Sequence, residues 1–430
     1  MRLQRAFRGR VPFAIAIALL TLAGTLIAGN FKSGEKRIEA RIERLFSTDD
    51  PRFERELSLL LGPPLIAGNR IQTLQNGDAI FPPMLAAIRG AKTSVNFESY
   101  IYWAGDIGKS FAEALTERAR AGVKVHVLLD AVGAAKMDGA WISEMTAAGV
   151  KVFKYHPVSW YDLDRLNNRT HRKLLIVDGA IGFTGGVGIA PEWTGNAQDP
   201  DHWRDTHFKV EGPVVAQMQA VFLDNWIKVS GEVLHGDAYF PAVAAAGTER
   251  AQTFSSSPTG GSESMALMYQ LAITSASRSI DLSAAYFVPD ELTQRTLLAA
   301  LHRGVSVRII VPGKHIELEL TRSASRALWG PLLAAGARIF EYEPTMYHCK
   351  VLIVDGLLTS VGSTNFDNRS FRLNDEASMN VLDTAFASAQ TRLFEEDLLH
   401  AKGVSFEQWR TRPVREKVGD WLSSLIGSQL

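Results

Sequence analysis

The sequence predicts an α/β fold built as two similar halves about a pseudo-twofold axis, preceded by a transmembrane helix. Three observations carry this. Apolar runs rich in β-branched residues alternate with helix-like segments, and the order helix end, glycine, strand appears in "ERARAGVKVHVLLD" and again in "AAGVKVFKY". The same pieces return in the same order: "ARAGVKVHVLLD" is matched by "LHRGVSVRIIVP", and "AAGVKVFKYHP" by "AAGARIFEYEP". Each half then reaches one phrase, "THRKLLIVDGAIGFTGG" at 170–186 and "YHCKVLIVDGLLTSVGS" at 347–363, with its histidines 177 residues apart. A repeat of that length means two like domains, not a solenoid.

Taken in order, residues 1–45 read as a membrane anchor and a charged juxtamembrane segment. "VPFAIAIALLTLAGTLIAG", 11–29, is 19 residues without a charge. As a helix it would span roughly 28 Å, about the thickness of a bilayer's hydrocarbon. Arg2, Arg5, Arg8 and Arg10 precede it, while Lys32, Lys36, Arg37, Arg41 and Arg44 follow, so charge leaves the orientation open. A cleaved signal peptide is the competing reading; the apolar stretch is long for one, and "LIAGN" is a poor cleavage site. The first repeated domain spans 66–240 and the second 250–402, with a linker at "GTERAQT". The first half carries ten extra residues within "VSWYDLDRLNNRT", a surface loop or a lip bearing Trp160, Tyr161 and Leu163. In the tail, 403–430, Trp409, Val414, Val418, Trp421, Leu422 and Leu425 recur at helical spacing. That pattern fits an amphipathic helix on a bilayer or one packed on the body.

Bulk properties bound the function. The 430 residues are 46% apolar and carry 46 basic and 46 acidic side chains, which weakens any case for a nucleic-acid partner. One cysteine, Cys349, allows no internal disulfide.

The chemistry lies in the repeated phrase. In an extended segment His171 and Lys173 share a face, as do His348 and Lys350, while Cys349 points away and reads as a small buried apolar residue. Asp178 and Asp355 fall at odd offsets and are expected to shape the turns before Gly179 and Gly356. Two imidazole–ammonium pairs brought together suit phosphate chemistry. One histidine attacks phosphorus, the other donates a proton to the departing oxygen, and the lysines offset charge on the nonbridging oxygens. No metal or other cofactor is needed. Each imidazole needs a carboxylate to fix its tautomer, and Asp205 and Glu376 are the candidates. Asp201, His202, Asp205 and His207 fit no compact metal-ligand template.

The doubled HxKx4Dx6G(G/S) pattern resembles the phospholipase D superfamily. Within it, "NFESYIYW", "WRDTHFKVEGPVV", "AAYFVPD" and "GSTNFDNRSFRLNDEASMNV" look most like the bacterial cardiolipin synthase family, over about 69–400. The resemblance implies two α/β/α sandwich domains and a membrane enzyme, bacterial inner membrane. It implies phosphatidyl transfer between two phosphatidylglycerols, giving cardiolipin and glycerol through a phosphohistidine. Hydrolysis of phospholipid to phosphatidate is the alternative; a nuclease or a tethered binding protein with a decayed site are remoter ones. By resemblance His171 is the nucleophile and His348 the general acid, then base. Lys173, Lys350, Gly186, Ser363 and Asn365 match phosphate-binding positions, and Asp205 and Glu376 the orienting acids. The pattern departs at Gly188, where the second half has Asn365. One phosphate donor is thereby missing, to be compensated by water or a backbone N–H, or else to weaken or alter the activity.

Overall fold

The computed structural model describes residues 15–22, 24–25, 38–157, 168–257, 263–425 and 427. Eighteen strands are assigned among them. In the first half these are β1 (Ile66–Gln75), β2 (Ser94–Ser99), β3 (Lys124–Asp130), β4 (Lys151–Tyr155), β5 (Arg169–Thr170), β6 (Leu174–Val177), β7 (Ile181–Gly185) and β8 (Thr206–Glu211). In the second they are β9 (Glu249–Ser256), β10 (Ser279–Ala284), β11 (Phe287–Val288), β12 (Ser306–Pro312), β13 (Arg338–Tyr342), β14 (Lys350–Val354), β15 (Leu358–Gly362), β16 (Phe366–Asp367), β17 (Asn374–Leu382) and β18 (Ala401–Val404).

The duplication is visible in the sheet. β1 and β9 pair antiparallel at its centre. Outward from β1 run β8, β7, β6, β2, β3 and β4; outward from β9 run β17, β15, β14, β10, β12 and β13, with β18 added at that end. The middle strands read as continuous apolar runs because both faces are covered: every residue of β6 and of β14 is buried. On one face lie helices Asn76–Gly90 and Asp106–Arg120 of the first half, and Ser264–Ser275 and Glu291–His302 of the second. On the other, helices Val215–Ser230 and Thr384–Leu398 close a core that draws Phe208, Val210 and Trp226 from one half and Val351, Met379 and Phe386 from the other. Each half is thus an α/β/α layer structure, and the halves share one sheet and one core.

The motif aspartates terminate the strands. Asp178 and Asp355 sit at φ +53° and +56°, in the turns between β6 and β7 and between β14 and β15. The Asp178 carboxylate accepts from the backbone N–H groups of Lys92, Thr93 and Ser94, and Asp355 accepts from those of Ser277, Arg278 and Ser279. Burial opposes ionisation of Asp178, but those N–H donors outweigh it and hold the carboxyl below its usual range.

Of the expected anchor at 11–29, only 15–22 and 24–25 are described. They are helical, with Ile15, Leu19 and Leu20 exposed. Among the described residues no helix is long and apolar enough to cross a membrane. The expected insertion, including Trp160, Tyr161 and Leu163, lies outside the described residues. The tail forms helices Phe406–Thr411 and Val414–Ser424; Trp409 covers Gly330, its indole N–H donating to the Arg326 carbonyl at 2.7 Å.

Candidate active site

His171 and His348 stand just ahead of β6 and β14, so the pair-bearing segments lead into the strands and do not lie within them, save for Lys350 at the first position of β14. What fixes them is pairing with the opposite half. β5 runs parallel to the start of β17, with Thr170 opposite Asp375, and the His171 N–H donates to the Asp375 carbonyl at 2.8 Å. The other copy reciprocates: Tyr347 bridges to Arg204, and the His348 N–H donates to the Arg204 carbonyl at 2.8 Å. This register sets each imidazole against the next residue across the junction. His171 Nδ1 lies 2.9 Å from Glu376 Oε1, and His348 Nδ1 lies 2.7 Å from Asp205 Oδ2. Each histidine therefore meets the acid of the other half.

A carboxylate only accepts, so Nδ1 carries the proton in both rings and each Nε2 keeps its lone pair. Burial, reinforced by the lysines, lowers His171 to about 4 and His348 to about 3. Burial also lowers Lys173, to about 7, and lowers Lys350. Burial opposes ionisation of Glu376, but His171, Lys173 and Ser363 outweigh it; His348 and Lys350 do the same for Asp205, and both carboxyls titrate below their usual range. Lys173 Nζ donates to the His171 carbonyl at 2.8 Å, and Lys350 Nζ to that of His348 at 2.8 Å.

Both histidines and Lys173 line one cavity of about 270 Å³. Arg169, Asn365, Arg369 and Asn374 are among its polar lining residues, with Glu317 and Asp367; Ile101, Trp103, Trp193, Tyr286 and Leu318 give it apolar surface. The Oδ1 atoms of Asn365 and Asn374 are buried with no hydrogen-bond partner.

The two supporting shells differ. Ser363, expected at the phosphate, is fully buried and its hydroxyl is held by Glu376, with the Ala377 N–H donating to it at 3.0 Å. Gly186, the other expected phosphate contact, packs on Asp205: a Cβ there would lie 2.3 Å from Asp205 Oδ1. Both positions pack against the acids because the turn after β7 or β15 runs beside Asp205, just ahead of β8, or Glu376 in β17. At Gly188 a Cβ would meet Ile101 Cβ at 2.7 Å and Trp193 at 3.1 Å, so the place of the missing asparagine is filled by apolar side chains.

Trp193 is a residue that spacing did not reveal. Its indole N–H donates to Asp205 Oδ2 at 2.9 Å, and its ring meets His348 edge-on with centroids 5.2 Å apart. Tyr100 stands in the same way against His171, at 5.2 Å. Arg172, wholly buried, donates to the carbonyls of Val221 at 2.7 Å and Glu376 at 3.3 Å, tying the motif to both halves. Tyr100 lay within the stretch "NFESYIYW" that carries the resemblance, but spacing singled out neither it nor Trp193. Cys349 is buried, and burial pushes its thiol up to about 12. Among the described residues no acid, histidine or cysteine group is arranged to hold a metal ion; His202 bonds Asp199 at 2.7 Å, and Asp205 is engaged by His348.

A duplicated α/β body in which two imidazoles, each held by the acid of the other half and each followed by a lysine, open with Lys173 on one cavity defines a phospholipase D-like protein. The family described as cardiolipin synthase, PLD-like domain, matches residues 84–226 and 270–398. A cardiolipin synthase of Geobacillus kaustophilus is 35% identical over 90% of this chain and 78% of its own length. Cardiolipin synthase 1 of Bacillus cereus is 30% identical over 99% and 90%, and cardiolipin synthase A of Pseudomonas fluorescens 32% over 84% and 75%. A solved phosphatidylserine synthase of Haemophilus influenzae shares the fold, with a TM-score of 0.68 at 15% identity, covering 88% of this chain and all of the other. The chain belongs to the cardiolipin synthase family of phospholipase D-like enzymes.

Proposed function

We propose that the chain moves a phosphatidyl group from one phosphatidylglycerol to the headgroup hydroxyl of a second, giving cardiolipin and glycerol. The observation that carries this is the crossed pair of imidazoles opening on one cavity. His171 Nε2 attacks phosphorus and the bond to the headgroup oxygen breaks; protonated His348 gives its proton to that oxygen, and glycerol leaves. The headgroup hydroxyl of the second lipid then attacks the phosphohistidine while His348, now neutral, takes the hydroxyl proton, and the phosphorus–nitrogen bond breaks.

Burial and the two lysines hold the proton affinity of His348 low. A phosphodiester anion between Lys173 and Lys350 offsets their charge and raises the proton affinity of His348, so the acid is armed by substrate. The apolar lining residues of the cavity favour lipid hydroxyl over water as acceptor. The apolar stretch at 11–29 anchors the enzyme at the membrane that holds its substrate.

The test is purified full chain with phosphatidylglycerol in detergent, with products read by mass spectrometry. Cardiolipin and glycerol are expected, and His171→Ala abolishes both. Phosphatidate without cardiolipin would replace this reading with hydrolysis.

A further inference from the structure

The tail helix Val414–Ser424 is docked the wrong way round for a core helix. Its polar side faces the body: Asp420 and Ser423 are buried, Glu416 pairs with Arg326, and Asp420 accepts from Arg412 at 2.8 Å. Its apolar side faces out, with Val414 73%, Val418 50%, Trp421 59%, Leu422 54% and Leu425 62% exposed. At 3.6 residues per turn these five form one stripe about 100° wide, flanked on its two sides by Arg415 and Lys417, both exposed. The Glu416–Arg326 pair and the burial of Asp420 and Ser423 hold the helix in this orientation, so the stripe is a fixed surface.

The helix that carries the stripe lies beside elements that border the cavity. The helix packs on helix Glu319–Ala334, and the residue before that helix, Leu318, lines the cavity and is 50% exposed. Just beyond the tail helix, Gly427 lies against Val288, which pairs with the cavity residue Asp367.

We propose that this stripe is a docking surface for an anionic lipid bilayer, and that it sets the cavity mouth against the membrane. Apolar side chains at the centre and cations at both margins match the acyl boundary and the phosphate layer of such a surface. A neutral bilayer satisfies only the first, and a second copy of the chain would set Arg415 and Lys417 against their own like.

The test uses full chain in proteoliposomes. Leu422→Cys carries an environment-sensitive fluorophore, Cys349 being buried; Lys109→Cys, on an exposed helix of the first half, carries the control. In phosphatidylglycerol vesicles the label at 422 is expected to shift to the blue and to be quenched by lipid-borne nitroxide, with neither effect at 109. A label at 422 that stays water-like overturns the proposal, as does concentration-dependent self-association in detergent that shields it there. This readout needs no activity, so it stands apart from the proposed reaction. Resting on that reaction, Trp421→Asp with Leu422→Asp is expected to cut transfer in vesicles about tenfold and to leave transfer on monomeric short-chain phosphatidylglycerol unchanged. Equal loss on both substrates overturns the docking role; no transfer by the unaltered chain on either defeats the proposed reaction alone.

Discussion

Glu376, near the end of the chain, accepts the Nδ1 proton of His171 across the junction of the two halves at 2.9 Å, and Asp205 does the same for His348 at 2.7 Å. Neither half holds a complete imidazole–carboxylate pair. Glu376→Gln is expected to leave the fold intact and to lower transfer by about 10²–10⁴-fold, through the wrong tautomer at His171. Asp205→Asn should do likewise through His348, and the double variant should lose much less than the product of the two. Rates from matched detergent assays check this; strict additivity would mean that the two acid–imidazole pairs act independently of each other.

Lys173, lowered to about 7 by burial, sets a pH limb. In the proposed reaction its charged form holds the phosphate and exists below that value, so kcat/KM is expected to fall as pH rises through about 7. Lys173→Arg keeps its charge throughout, so the added bend near 7 should vanish, leaving only the shallower fall set by His348, although the rate is lower. A pH profile of both proteins from 6 to about 9 separates this from general loss.

Asp178 touches no reacting group. Asp178→Ala removes the acceptor for three backbone N–H groups at the entry to β2 and leaves alanine at positive φ. A destabilisation of about 2–4 kcal/mol is expected, with turnover per folded molecule nearly unchanged. Denaturant melts read beside specific activity decide it.

Restoring the asparagine absent from the first half should harm the enzyme. In Gly188→Asn the new Cβ lies 2.7 Å from Ile101 Cβ, so the loop must shift and carry Trp193 with it. Activity is expected to fall with stability. Trp193→Phe, which removes one donor from Asp205, should cost about tenfold in rate at nearly full stability. A gain in rate from Gly188→Asn would show that a phosphate donor was indeed wanting there.

Much of this was legible because a repeated phrase at fixed spacing encodes local geometry. The His–Lys pairs, the turn aspartates and the two acids all lie within or shortly after that phrase, where chain connectivity limits where they can go. The crossing of acids and imidazoles was not legible, because it depends on β5 pairing with β17 of the other half, a contact between residues some two hundred positions apart. The partner of Ser363 was hidden for a related reason. The serine's position after the motif fits a phosphate contact, yet the strand carrying Glu376 passes close enough to engage its hydroxyl. Trp193 escaped because an aromatic in a loop carries no spacing signal; only the packing around Gly188 shows why it is there.

The union of both halves on one polypeptide has a consequence for how the site can change. In a dimer of identical subunits any substitution arrives on both sides of the dyad and must be tolerated twice. Here Gly186 faces one acid and Ser363 the other, and Arg172 stands where the partner motif has Cys349. A single genetic event alters one side alone, so the residue that attacks and the residue that delivers protons can be tuned separately.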